Sequence, residues 1–421
     1  MTKMLDNNSN EGVGYSFFPG QIVGVEGINS SGRTMIVQRV IEGVVPPPLL
    51  LLNEADDEMK KETTESMTMT MEDNTSNGND SSGRGDDNLS IWTACGPYTT
   101  ADNLQYDPLL DLIERISAEK PDVVILCGPF VDGRQPLVIG ENGHGPIVTI
   151  DDESGAQRLV TPEQLFATNV SELLSEMYEV DPTLSTQFVL VPSLDDAFVD
   201  SVYPQPPFQD NGTSISSGGS GDSMQLGSLG LREVELAGRR GTNKVEIAKL
   251  GKRIHLASNP CTLHINDIVV GVTSTDILFQ MSSDGCDDGL PPGSRLGRVA
   301  GHLVRQGSYY PLFPSAAGVP LDMTKSSEWE MPYRPDVLIV PSRLASFARP
   351  VGGDTVPGGV MKGISSTTVA VNPGELTKGS AGGTYARIDV RSKKGRGRVD
   401  CEAVTGRDGV QDRVSVEIRR I

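Results

Sequence analysis

The sequence predicts a mixed α/β protein in which a small β unit precedes a long α/β domain. Residues 17–45 hold two apolar runs typical of strands, "QIVGVEGI" and "TMIVQRVI", joined by the turn sequence "NSSG". From Leu89 onward, short apolar runs alternate with amphipathic helical patterns, and many of the runs end in Gly, Pro, Asp or Asn. Together these observations indicate one domain from about Leu89 to Ile421 behind the β unit.

The β unit is too small to be stable on its own. Two strands alone are marginal in water, and the residues before Phe17 supply no clear further strand pattern. The sequence "PPP" at 46–48 ends the unit. We therefore expect residues 1–52 to be the last part of a larger β domain whose first strands are missing from this chain.

Helices and strands of the α/β domain carry recognisable local signals. In "DPLLDLIERISAEK", Asp107 is the expected N-cap and Pro108 the first helical residue. In "TPEQLFATNVSELLSEMYEV", Thr161 and Gln164 form a predicted capping box. The runs "PDVVILCG" and "TQFVLVPS" are apolar at nearly every position, so we expect strands buried on both faces.

Three polar segments interrupt these patterns. Residues 53–88 are acidic and low in complexity, which predicts a disordered linker or loop. Flexible insertions are predicted near 209–228, which is rich in Gly and Ser, and near 392–409, which contains the basic sequence "SKKGRGR". The basic sequence is either a solvated loop or a nucleic-acid contact, and we favour the solvated loop.

Composition excludes several functional classes. The formal net charge of −20 opposes tight unaided binding to a phosphate backbone. No run approaches the ~20 apolar residues that a membrane helix needs, so we expect no membrane contact. The five cysteines lack zinc-ligand spacing and are expected to be small buried residues in a reducing compartment.

The turns after the predicted strands are the expected site of any chemistry, because ligands of open α/β sheets bind beyond the carboxyl ends of strands. In order along the chain, these turns are "ACGPYTT", "CGPFVDG", "VPSLDD" and "VNPGEL". The order resembles that of the calcineurin-like metallophosphoesterases, which use such turns to hold two metal ions and activate a water.

The resemblance places non-ligand residues at most metal-binding positions. The bridging aspartate becomes Pro129, an asparagine ligand becomes Ser193, and the catalytic histidine becomes Leu194. The full set of degenerate motif positions is Gly96, Pro129, Asp132, Ser193, Leu194, Asp195 and Asn372. We therefore predict no catalytic residue, no metal and no cofactor. The two remaining aspartates are either leftover ligands or turn caps, and we favour caps.

A more specific resemblance rests on seven separated segments that occur in order. They are "ACGPYTTADNLQYDPLLDLI", "PDVVILCGPFVD", "VPSLDD", "YPQPPF", "VTSTDILF", "RQGSYYPLFP" and "VNPGELTKGSAGGTYARI". In this set the chain closely resembles the B subunits of DNA polymerase α. The stretch from Phe17 through "VVPPP" is similar to the end of the OB domain of that family.

This resemblance implies a fold, a function and partners. The fold is a partial OB-type β-barrel followed by an inactive phosphodiesterase-like β-sandwich flanked by helices, over residues 89–421. The function is that of a non-catalytic scaffold subunit of DNA polymerase α–primase, which supports primer synthesis at the initiation of DNA replication in the nucleus. The partners are the C-terminal zinc module of the catalytic subunit and, through the complex, the primase subunits, with DNA contacted only indirectly or weakly.

Two other functions stay open on the sequence. One is a metal-dependent phosphodiesterase or nuclease with atypical ligands, which the substitutions at the motif positions oppose. The other is an OB-type module for single-stranded DNA, which stacks bases on aromatic side chains. Phe17 and Phe18 are the only aromatic residues in 17–45, so a protein-docking OB domain is favoured.

Overall fold

The structure is a computed structural model, and it describes most of the α/β domain and part of the β unit. The described residues are 15–43, 45–48, 68–71, 88–139, 148–151, 157–209, 213–214, 225–226, 229–231, 234, 252–288, 295–352, 368–391 and 413–421.

Helices and strands follow one another along the described residues in the mixed pattern that the sequence predicts. The strands are β1 (Tyr15–Phe17), β2 (Gly24–Ile28), β3 (Ile36–Ile41), β4 (Thr68–Met71), β5 (Leu89–Cys95), β6 (Val123–Cys127), β7 (Val148–Asp151), β8 (Gln157–Val160), β9 (Gln187–Val191), β10 (Thr213–Ser214), β11 (Gln225–Leu226), β12 (Ile254–Leu256), β13 (Cys261–Ile265), β14 (Ile268–Val272), β15 (Cys286–Asp288), β16 (Val337–Ile339), β17 (Phe347–Val351), β18 (Thr368–Asn372), β19 (Thr377–Lys378), β20 (Ala381–Gly382), β21 (Thr384–Val390) and β22 (Val414–Arg420). The α-helices are α1 (Asp107–Glu119), α2 (Pro136–Ile139), α3 (Pro162–Phe166), α4 (Glu172–Val180), α5 (Ile277–Asp284) and α6 (Arg295–Gln306). A π-helical turn (Ala167–Ser171) joins α3 to α4, and a 3-10 segment spans Met323–Trp329.

Two six-stranded sheets form the centre of the α/β domain. The first sheet has the order β12-β9-β6-β5-β21-β22, and the second has the order β17-β18-β16-β14-β13-β4. Apolar residues of both sheets meet in one buried cluster that includes Ile91, Ile125, Val189, Val270 and Val371. Helices α1, α3 and α4 cover the outer face of the first sheet, and α5 and α6 cover that of the second. The predicted β-sandwich flanked by helices is confirmed.

Strand β6 illustrates why the central strands lack polar alternation. All five of its residues are buried. Val124 and Leu126 join the cluster beneath the helices, whereas Val123 and Ile125 join the cluster between the sheets. Because both faces of the strand are covered, both sets of alternating positions must be apolar.

The predicted helix starts agree with the structure at one helix and differ at another. Thr161 and Gln164 form the predicted capping box, with reciprocal bonds of 3.3 and 3.0 Å between side chain and backbone. In α1, however, Asp107 is already helical, and the N-cap is Tyr106 in the left-handed region at φ 58°. The Tyr106 side chain is fully buried, and its hydroxyl donates to the Phe130 carbonyl at 2.8 Å. This tertiary contact outweighs the local preference for aspartate at the cap.

Two of the three polar segments, which the sequence predicts to be disordered or flexible, contain short strands. Thr68–Met71, inside the acidic segment 53–88, forms β4 and pairs in parallel with β13. Within 209–228, β10 pairs with β11. The rest of 53–87, and all of 392–409, lie outside the described residues. The strand at 68–71 alternates Thr and Met, and a β-branched residue at every second position favours extended backbone.

The β2–β3 hairpin of the β unit is held against α6 by polar bonds. The Gln306 side-chain amide accepts from the Ile22 N–H and donates to the Ile22 carbonyl, both at 3.0 Å, and also donates to the Glu42 carbonyl. Arg305 Nη1 donates to Glu42 Oε2 at 2.9 Å. Gln306 therefore bonds to the hairpin backbone as a neighbouring strand would.

None of the helices in the described part of the chain has the length and apolar character of a membrane span.

We predict that Gln306→Ala loosens the hairpin without unfolding the α/β domain. The change removes bonds to both backbone groups of Ile22 and to the Glu42 carbonyl, each worth about 1 kcal/mol. Amide exchange in residues 22–42 should accelerate roughly 30- to 100-fold, while the α/β domain still unfolds in one cooperative transition. Arg39→Ala is the control, since Arg39 is exposed and its contact with Glu26 spans 4.0 Å. Equal exchange in the two variants would show that Gln306 does not hold the hairpin against α6.

Candidate functional site

The carboxyl ends of parallel strands from both sheets meet at one edge of the sandwich. Strands β5, β6 and β9 are parallel neighbours in the first sheet, and β14, β16 and β18 are parallel neighbours in the second. The loops after them are bonded across the sheets: Ser274 Oγ donates to the Pro192 carbonyl, and the Leu376 N–H donates to the Cys95 carbonyl at 2.8 Å. This edge is where the sequence predicts any chemistry to lie.

The sequence-predicted positions occupy the loops at this edge. Gly96, Pro129 and Ser193 follow β5, β6 and β9, and Asn372 is the last residue of β18. The loops touch: the Gly96 N–H donates to the Cys127 carbonyl at 2.9 Å, and a Cβ on Gly96 would overlap the Pro129 carbonyl oxygen. Gly96 is therefore required by close packing of two loops. Leu194 packs at the edge of the core beneath α5 and α6.

Asp196 is the central polar group of the edge, and sequence reasoning missed it. Its side chain is buried, with 3% of the residue exposed. Oδ1 accepts from the N–H groups of Phe130 and Val131 at 2.5 and 3.2 Å, and Oδ2 accepts from the Ser193 N–H at 2.9 Å. One carboxyl group thus ties the loop after β6 to the loop after β9.

Gly128 makes room for this carboxyl group. A Cβ at position 128 would overlap Asp196 Oδ2 and would lie 2.9 Å from the Ser193 Cβ. The strand-end glycine, which looks in the sequence like part of a metal-binding turn, instead lets a buried carboxyl group approach the backbone.

Burial dominates the titration of Asp196. It raises the pKa of the carboxyl group to about 7, because removal from water opposes ionisation more than the three backbone N–H donors support it. The nearby Asp132 carboxylate raises this pKa further.

Buried amides close the loops of the second sheet in a comparable way. Asn372 Oδ1 accepts from the N–H groups of Ser342 and Gly374, both at 2.9 Å. Asn259 Oδ1 accepts from the Ser274 N–H at 3.0 Å, and its Nδ2 donates to Gln205 Oε1 at 2.9 Å. Because these side-chain atoms bind loop backbone and neighbouring side chains, they are committed to holding the loops together.

Asp132 and Asp195, which the sequence allows to be either leftover ligands or turn caps, lie at the rim and share one arginine. Asp132 Oδ1 accepts from the Arg134 backbone N–H at 2.9 Å, which is the geometry of a turn cap. Arg134 also contacts Asp132 Oδ1 at 3.2 Å and Asp195 Oδ2 at 3.2 Å through its guanidinium group. Burial raises the pKa of Asp195, and the Arg134 charge opposes that rise.

A second charged pair lies on the rim of the other sheet. Asp276 Oδ2 accepts from both the backbone N–H and Nε of Arg343 at 3.1 Å, and the Arg343 guanidinium lies 4.6 Å from the centre of the Phe279 ring. Burial raises the pKa of Glu375, while Lys378 and Arg343 lower it. The rim is therefore a set of paired charges of both signs.

The described residues contain no group of three or more His, Cys, Asp or Glu arranged to hold a metal ion. The histidines that the structure describes have other surroundings. His255 bonds to Gln187 Oε1 at 3.0 Å, His302 bonds to Ser16 Oγ at 3.1 Å near the hairpin, and the His264 ring lies 5.9 Å from that of Tyr333. His144 lies outside the described residues.

Comparison with known proteins matches both parts of the chain. A family model for the B subunit of DNA polymerase alpha/epsilon matches residues 91–349, and a model for the OB domain of the DNA polymerase alpha B subunit matches residues 7–43. These matches confirm the resemblance seen in the sequence and the OB origin of the β unit.

Individual relatives are named as B subunits of DNA polymerase alpha. The DNA polymerase alpha B subunit of Mus musculus is 32% identical over 378 residues, which cover 90% of this chain and 47% of that protein. The Schizosaccharomyces pombe relative is 28% identical, with coverage of 89% and 51%, and the Saccharomyces cerevisiae relative is 24% identical, with coverage of 89% and 47%. This chain therefore spans about half the length of these relatives.

One solved structure, of TT1561 from Thermus thermophilus, also aligns with the chain. It covers 71% of this chain and 93% of its own, with 12% sequence identity. The TM-score of 0.25 is too low for this alignment to support a conclusion.

We predict that Asp196→Ala is strongly destabilising, because it leaves three buried N–H groups without an acceptor. The expected loss is about 3–5 kcal/mol in the free energy of unfolding. Asp196→Asn retains one oxygen and should lose about 1–2 kcal/mol. Urea denaturation measures both. The matched control is Asp195→Ala, whose half-exposed ion pair is worth less than about 1 kcal/mol. Equal losses for the Ala variants at 195 and 196 would show that the three bonds do not hold the loops.

We also predict a pH dependence that runs opposite to that of a salt-bridged aspartate. The folded-state pKa of about 7 lies above the ordinary value of 3.8, so between these two values the folded state retains a proton that the unfolded state releases. Asp196 should therefore lower the free energy of unfolding as pH rises from 4 to 7, by at most about 1.4 kcal/mol per pH unit. Between pH 4 and 7, the melting temperature of Asp196→Asn should fall less steeply with pH, or rise more steeply, than that of the wild type. Parallel pH profiles for the two proteins would contradict the prediction.

Proposed function

We propose that this chain, which belongs to the family of DNA polymerase alpha/epsilon B subunits, is a non-catalytic scaffold subunit of DNA polymerase α–primase. The observation that carries the non-catalytic part is the bonding of Asp196 to three backbone amides where the loops after β6 and β9 meet. The partner assignment rests on the family, because the Mus musculus and Schizosaccharomyces pombe relatives are named as B subunits of DNA polymerase alpha.

The contacts between the loops argue against two-metal hydrolysis. Such a reaction needs two ions ~3.5–4 Å apart with an activated water between them and the substrate. Gly128 has no room for even a Cβ against Asp196 and Ser193. The side chains of Pro129 and Leu194 carry no ligand atom, and the Asn372 amide oxygen already accepts two backbone N–H groups. The residues that would form the reaction centre instead hold the scaffold together.

We propose further that the chain binds the C-terminal zinc module of the polymerase catalytic subunit and reaches the primase subunits through that complex. This complex would act in the nucleus and support primer synthesis. An obligate contact of this kind buries more than ~2,000 Å². The hairpin offers apolar surface for such a contact, since Val25, Ile28 and Ile41 are 48%, 54% and 44% exposed. The net charge of −20 disfavours direct DNA binding.

Co-elution tests the partner assignment. We expect the chain and the zinc-loaded C-terminal module of a matching catalytic subunit to elute together as a 1:1 complex from a sizing column. The control is the same module after removal of zinc, which should not co-elute because structural zinc sites supply folding energy. Separate peaks, with circular dichroism confirming that both proteins are folded, would contradict the proposed partner.

A phosphodiesterase assay with Mn²⁺ and a chromogenic phosphodiester tests the non-catalytic assignment separately. We expect hydrolysis no faster than with the double variant Asp132→Asn/Asp195→Asn, which neutralises the two rim carboxylates but leaves Asp196 in place. A Mn²⁺-dependent rate that this double variant abolishes would favour the enzyme instead.

A further inference from the structure

Strand β4 is an addition to a sheet edge from an unexpected part of the chain. It lies at the outer end of the second sheet and pairs only with β13 among the described residues, in the register Thr68 with Thr262 through Met71 with Ile265. The two family matches cover residues 7–43 and 91–349, so β4 falls between them whereas β13 falls inside the second. Within the family-matched region, β13 is thus the last described strand on this side of the sheet.

The segment around β4 is poorly suited to permanent docking. Residues 53–88 contain eleven Asp and Glu residues against three Lys and Arg, in a chain whose net charge is already −20. Docking β4 therefore brings an acidic segment toward a domain in a chain of the same net charge, and this like-charge repulsion opposes docking.

The pairing itself is short. Four register pairs join β4 to β13 in parallel, whereas five antiparallel pairs join β13 to β14 on the other side, and every residue of β14 is buried. Parallel ladders are slightly weaker per residue. The net gain from each ladder bond is comparable with the entropy lost when one residue is ordered. Docking of β4 is therefore close to balance, unlike the buried strands.

We propose that the outer edge of β13 is a strand-acceptor surface and that β4 is its reversible internal ligand. An exposed strand edge presents N–H and C=O groups that any extended segment can pair with. In this chain the occupant is β4, which covers the edge in cis and leaves it free when the segment detaches. This proposal does not depend on the scaffold function.

Hydrogen exchange on the full chain tests the proposal with a double variant, Met69→Pro/Thr70→Pro. Adjacent N–H groups of a strand point to opposite sides, so either residue 69 or residue 70 directs its N–H toward β13. One of the two prolines therefore removes a hydrogen-bond donor to β13. Thr63→Pro/Thr64→Pro is the matched control, with two prolines introduced outside β4.

We expect β4 amides of the wild type to exchange about 10- to 100-fold more slowly than in a free peptide, and much faster than amides of β6. In Met69→Pro/Thr70→Pro, the β13 amides that face away from β14 should lose most of their protection. A synthetic peptide of residues 62–74, added at millimolar concentration, should restore it. The control variant should behave as the wild type.

Several results would overturn the proposal. Wild-type β4 amides that exchange as in the free peptide would mean that β4 does not dock, and protection equal to that of β6 would mean that it never leaves. Unchanged β13 exchange in a folded Met69→Pro/Thr70→Pro variant, or no effect of the peptide, would exclude an acceptor edge. If the variant fails to fold, the exchange rates of β4 and β6 amides in the wild type still show whether β4 docks reversibly.

Discussion

One carboxyl group connects the loops on which the rest of the edge depends. Asp196 accepts hydrogen bonds from the backbones of Phe130, Val131 and Ser193, and these residues belong to loops after adjacent parallel strands. Parallel strands bring their carboxyl ends together, and the backbone N–H groups of the following loops must be satisfied there. In a metal enzyme, such loops direct side chains at ions. Here Asp196 directs its oxygens at the loops themselves.

The same principle extends across the sandwich. Asn372 and Asn259 close loops of the second sheet, and Ser274 bonds to Pro192 of the first. Buried polar groups are costly when unpaired and specify one arrangement when every partner is present. A network of this kind holds the loops at this edge in one arrangement. Charged pairs involving Arg134 and Arg343 surround the network at the rim.

Much of the fold follows from patterns that can be read along the chain. Strand β6 is recognisable because both of its faces are covered, and the α3 capping box is recognisable because its two side chains satisfy each other's backbone. Asp196 is not recognisable in this way. It stands beside Asp195 in the sequence, yet one is buried and the other half-exposed, and only the position of the neighbouring loop distinguishes them. Strand β4 escapes for a similar reason, since its four residues lie inside a polar, acidic segment and its partner β13 lies far along the chain.

The most direct test of the central claim is anomalous diffraction from crystals of this chain soaked in Mn²⁺. The loops after β6, β9 and β18 would have to open for an ion to bind between them. We predict no anomalous peak at coordinating distance from Asp132, Asp196 or Asn372, with the Asp196 bonds to the backbone intact. A peak that bridges the two sheets at this edge, with Asp196 turned toward it, would contradict the account and identify the edge as a working metal site.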